Sequence, residues 1–146
     1  MGKTRLLIAI SCLGLLAMAN TGLTATVIYR SVGPGKTSPL ATGTGNVLSI
    51  SGNTANFASA LPANVGVGDA IQYDSNSDSV VDRIVFIHGR TDNRTYTVQT
   101  ATGGLPTPVA GTTIWGAYRA YTSLSNAHNG SANFGISGYV KPFDSG

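Results

Sequence analysis

Asp74, Asn76, Asp78, Val80 and Asp82 have the residue types and spacing of a cation-binding loop. They stand at relative positions 1, 3, 5, 7 and 9 of the stretch DSNSDSVVD. Oxygen ligands on alternate residues can turn inward around one centre, and Ca²⁺ takes carboxylate, amide and backbone carbonyl oxygens together. In that pattern Val80 offers its carbonyl, and Asp82 takes the position often bridged by water. Two positions depart from it: Ser79 stands where Gly eases the sharp turn, and Val85 stands where a bidentate carboxylate closes the cage. Calcium is therefore one of two readings, at a modest affinity of about 10⁻⁴–10⁻³ M as in extracellular modules. The competing reading is a plain Asp- and Ser-rich turn, since these residues favour turns on their own account. Asp69 is farther off, behind the ligands or in a turn of its own.

Other chemistry finds less support. His88 and His128 are forty residues apart and Cys12 is the single cysteine, so zinc ligation is not expected. No G-x-S-x-G elbow occurs, and the order of His88, Asp92 and Ser123 carries no triad signal. A glycosidase pair would need two of the six Asp, four of which already cluster within the acidic loop and its apolar flanks, residues 69–90. Arg83, Arg90 and Arg94 lie close enough in sequence to pair with Asp82 or Asp92 without forming an anion site. The chain is expected not to be an enzyme. GKT at residues 35–37 resembles the end of a phosphate-binding loop, but Arg30 stands where the first Gly belongs and Pro39 opposes the helix that must follow. No nucleotide is expected.

The elements that must position the loop are strands. Apolar residues make up 42% of the chain and charged residues only 10%, and all six acids are Asp. With 19 Gly and 6 Pro, the composition points to strands joined by turns. Residues 1–25 read as a secretory signal: Lys3 and Arg5, an apolar centre over 6–16, and Ala17-Met18-Ala19 as the cleavage site, with processing after Ala19 and no later than residue 25. The apolar run is short for a membrane span of about 20 residues, so the membrane is met only through this segment. Leu13, Leu15 and Leu16 continue past Cys12 and argue against lipidation; Leu6 stands where myristoylation wants Ser or Thr. Without Lys3 and Arg5, the formal +3 falls to seven basic residues against six acids. No basic stripe is left for nucleic acid.

Residues 26–30 (TVIYR) read as a first strand, and 46–58 as a hairpin turning at Ser51-Gly52-Asn53-Thr54. Strands are expected at 69–73, 84–88 (buried on both faces) and 94–100, with 103–111 as a connection. Ala117, Ala120, Tyr121 and Leu124 have helical spacing, and a short helix is expected from Ser123 to Gly130, followed by a strand over 132–140. Trp115 reads first as a core anchor; with Tyr118 and Tyr121 exposed it would instead form a ligand-stacking row.

The runs VIYRSVGPG, LATGTGN, VGVGDAIQYDSNSDSVVD and VFIHGRT together resemble the N-terminal module of large secreted bacterial surface proteins, across about residues 26–126. In those proteins the module precedes a parallel β-helix or other repeats. They continue well beyond this point, whereas the sequence stops at Gly146, so the resemblance implies either a short stand-alone member or a piece of a longer chain. The expected architecture is all-β: a sandwich or partly closed barrel of about eight short strands over 26–122, then the short helix, last strand and polar tail over 123–146. The expected function is a non-catalytic, secreted or cell-surface structural module, calcium-stabilised, with surface or matrix components as partners. The alternative is a module that binds glycan or a surface partner through Trp115, Tyr118 and Tyr121; a hydrolase or lyase ranks below both.

Overall fold

A computed structural model of the chain describes residues 27–33 and 39–121, with Leu124 and Ala127. The signal segment, Cys12, His128, the strand over 132–140 and most of the helix expected near Ser123 lie outside the described residues. Eight antiparallel strands form one sheet in the order β1-β8-β4-β5-β6-β3-β2-β7. They are β1 (Ala41–Thr42), β2 (Leu48–Ser51), β3 (Thr54–Phe57), β4 (Ala70–Tyr73), β5 (Arg83–Arg90), β6 (Thr95–Gln99), β7 (Val109–Thr112) and β8 (Trp115–Tyr118). The all-β expectation holds. β1 and β7 are the outer strands, so the sheet is not closed.

The sheet is nonetheless strongly curled. Phe57 of β3 and Trp115 of β8 are separated in the sheet by β4, β5 and β6, yet their rings lie 4.8 Å apart. Alternation produces this enclosed face. Leu48 and Ile50 on β2, Ala55 and Phe57 on β3, Ile71 and Tyr73 on β4, Val85 and Ile87 on β5, and Tyr96 and Val98 on β6 all join one buried cluster. The opposite face is divided. Over β4 and β5 it buries a second cluster of Ala70, Ile84, Phe86, Ala120 and Tyr121. Over β2, β3 and β6 it is polar and open to solvent.

The β2–β3 hairpin follows its alternation directly. Leu48 pairs with Phe57 and Ser51 with Thr54 across a Gly52-Asn53 loop, and Gly52 has φ 56°, as hairpin turns of this hand require. β5 is buried on both faces because its outward residues lie under the second cluster.

Three expectations are corrected. Residues 27–30 form no strand; the segment crosses the outer face of β4 and β5, where Ser31 N–H donates to Gly68 O (2.8 Å) and Tyr121 N–H to Ser31 O (3.0 Å). Residues 115–118 are strand β8 rather than the start of a helix, because β4 and β1 hydrogen-bond them on both sides. The connection over 103–111 ends in β7, whose Val109 pairs with Ile50. β1 carries too little sequence pattern to have been anticipated.

Candidate functional site

The acidic stretch is the loop from Asp74 to Asp82 that joins β4 to β5, and Asp74 organises it. The side chain is only 2% exposed. Its Oδ1 accepts the amides of Asn76 (3.0 Å) and Ser77 (2.8 Å), and its Oδ2 accepts that of Ser79 (2.8 Å). Ser77 and Ser79 both adopt left-handed backbone, φ 66° and 67°. That conformation is uncommon for residues with a Cβ and turns successive amides to one side. Ser79 therefore makes the turn that the sequence pattern assigns to Gly. Burial pushes the Asp74 carboxyl upward, but the amides of Ser79, Asn76, Ser77 and Asp78 outweigh it and hold the group below its ordinary value.

The other oxygens are engaged in the same way. Asn76 Oδ1 accepts from Asp78 N–H (3.1 Å) and its Nδ2 donates to Asp78 Oδ2 (3.0 Å), while Asp78 Oδ1 accepts from Val80 N–H (2.8 Å). Asp82 closes the loop: its Oδ1 accepts from Ser75 N–H (2.8 Å) and its Oδ2 from the Ser75 hydroxyl (2.9 Å), with Arg83 Nη1 3.2 Å away. Val80 itself is exposed, and Val85 is buried in the inner core on β5. Among the described residues, no group of three or more His, Cys, Asp or Glu side chains is gathered as a metal set.

The remaining described carboxylates also have local partners. Asp92 Oδ1 accepts the amides of Arg94 and Thr95 (both 2.7 Å), which hold its carboxyl below the ordinary range. Asp69 is fully buried; Arg119 Nη1 lies 2.7 and 2.8 Å from its two oxygens, and Gly66 N–H donates to Oδ2 (2.9 Å). The sequence reading missed this pair. Its signal was a single cation inside the apolar run WGAYRAY, since a charge in such a setting calls for a buried counter-charge.

Comparison with protein-family models, curated proteins and solved structures yields no match.

The aromatic row does not form. Trp115 faces inward at 5% exposure, and its Nε1–H donates to Asn46 O at 2.8 Å. Tyr118 points the other way and is half-buried, its ring folded over Gly116. Tyr121 is buried in the second cluster with the Arg30 guanidinium 5.6 Å from its ring centre. His88 sits where the β5–β6 register shifts, its ring 5.1 Å from that of Tyr29 and its Nδ1 buried without a partner among the described residues. Tyr29 is 45% exposed.

Proposed function

We propose that the chain is a non-catalytic structural module of the cell exterior, secreted or held at the cell surface, with Ca²⁺ as the ion its acidic loop takes. The observation that supports this is the use made of the carboxylates. Asp69, Asp74, Asp78, Asp82 and Asp92 each accept hydrogen bonds from a nearby amide, hydroxyl or guanidinium. A general acid or base must instead reach a proton on a substrate. A carboxylate oxygen has further lone pairs after accepting one amide, so a hard cation can share a loop that is already folded. The signal-like segment and the resemblance to secreted bacterial surface modules support the location.

Two measurements test the reading separately. Full-length protein expressed in a secreting host is expected outside the cytoplasm with Asn20 as its first residue; retention in the cytoplasm with residues 1–19 attached removes the exported role. Melting the secreted protein at 10 mM Ca²⁺ and in chelator tests the ion. With a dissociation constant of about 10⁻⁴ M, saturation stabilises by about 2.7 kcal/mol. Equal midpoints remove calcium and leave the structural role standing.

A further inference from the structure

The outward face of β2, β3 and β6 is polar, as the solvated side of an antiparallel sheet is, and it is also uncharged. Those three strands contain no charged residue. Pairing aligns their outward side chains into rows: Ser51 beside Thr54 and Thr54 beside Thr97, with Asn56 beside Thr95 in the next row. Thr97 in turn pairs with Gly89 on β5, and the neighbouring residue is His88. Neighbouring strands lie about 4.8 Å apart, so the row from Ser51 to β5 spans roughly 14 Å. At its end Tyr29 lies against His88, the two rings 5.1 Å apart.

We infer that this face, bounded by the Tyr29–His88 pair, binds a neutral polysaccharide. Sugar hydroxyls donate and accept, and so do the Ser and Thr hydroxyls and the Asn56 amide that meet them. A regular array of such groups suits a polymer with a regular repeat. The exposed Tyr29 ring supplies an apolar surface with a polar tip, which the C–H face of a sugar ring can cover. The lack of charge decides between ligand classes. An anionic glycan or a nucleic acid would lose hydration on this face without gaining a cation. A protein partner would be expected to meet an apolar, aromatic centre, whereas these strands turn theirs inward. The site is distinct from the acidic loop and does not depend on that loop holding an ion.

Native electrophoresis of the secreted protein through gels containing glucan, mannan, xylan or galactan, with alginate as the anionic control, tests the assignment. At least one neutral polymer is expected to retard the protein and alginate is not. Tyr29→Ala and the double variant Thr54→Ala/Thr97→Ala should each weaken retardation by roughly ten-fold, the effect of about 1.4 kcal/mol. Tyr29→Phe should keep it, and Asn56→Arg, at an exposed position whose side chain faces away from the core, should lower it. Unchanged melting midpoints in Asn56→Arg and Tyr29→Phe keep the reading free of folding effects. No retardation by any neutral polymer, equal retardation by alginate, or retardation indifferent to Tyr29 and Asn56 overturns it.

Discussion

Removing one oxygen from Tyr96 should make the protein more stable, while the same change at Tyr73 should make it less so. Both side chains are fully buried in the inner core. Tyr73 Oη donates to Thr107 O at 2.6 Å. Tyr96 Oη has no partner among the described residues, although its ring is well placed, edge-on to Phe57 at 5.7 Å and under the Arg90 guanidinium. In the unfolded chain both hydroxyls are hydrated. Burying an unsatisfied polar group costs about 1–3 kcal/mol, and replacement by an apolar group of the same shape removes that cost. Tyr96→Phe keeps the ring contacts and should therefore gain about 1–2 kcal/mol, or roughly 4–8 °C in melting midpoint at this size. Tyr73→Phe loses a hydrogen bond, leaves the Thr107 carbonyl short of a donor, and should lose about 1–2 kcal/mol. Urea denaturation of the two variants beside the parent, with unchanged m-values, gives both numbers. If Tyr96→Phe loses more than about 1 kcal/mol, the hydroxyl has a partner and the account of the inner core is wrong.

Further predictions rest on the other buried groups. Arg119→Met leaves Asp69 buried and uncompensated and should cost about 3 kcal/mol, the low end for a broken buried pair because Arg119 is partly exposed; adding Asp69→Asn should restore much of it in a double-mutant cycle. Gly68→Ala should be strongly destabilising by thermal melting, because Gly68 has φ 89° and an added Cβ would stand 2.6 Å from Ser31 N. The pH profile of stability should fall at both ends. Asp74 and Asp92 have lowered carboxyl values, so their contribution is present above the unfolded value of 3.8 and is lost as pH drops below it. Tyr96, Tyr118 and Tyr121 are raised, chiefly by burial, so their contribution is complete below the unfolded value of 10.0 and is lost as pH climbs through the folded values. Midpoints measured from pH 2 to pH 11 check both signs; a midpoint that rises between pH 4 and pH 2 contradicts the first.

How much could be read beforehand depended on whether local pattern and tertiary use agreed. The β2–β3 hairpin and β6 alternate apolar and polar residues against one core, so residues 46–58 and 94–100 gave their strands directly. β5 was legible for the opposite reason, an unbroken apolar run covered on both faces. Residues 27–30 have the composition of a strand, but Val27 and Tyr29 stay exposed, and the backbone bonds to Gly68 and Tyr121 are made just beyond them, at Ser31 and Gly33. β1 and β7, with sequences AT and VAGT, carry almost no periodicity and exist because β8 and β2 offer free edges. The helical spacing from Ala117 to Leu124 was a coincidence across a strand end: Ala117 faces the inner cluster, whereas Ala120 and Tyr121 join the outer one. At the acidic loop, residue types and spacing were visible, but the left-handed Ser77 and Ser79 were not, because their conformation is imposed by the amides that Asp74 gathers.

The central claim is that these carboxylates hold the chain in shape, and Asp74 carries most of it. Amide hydrogen exchange resolved by residue, on the parent and on Asp74→Ala, tests it most directly. The account predicts that the amides of Asn76, Ser77 and Ser79 are protected in the parent. It also predicts that Asp74→Ala abolishes this protection and loosens β4–β5, while β2–β3 exchanges as before. Unprotected loop amides in the parent, together with an unchanged melting midpoint in Asp74→Ala, would contradict it.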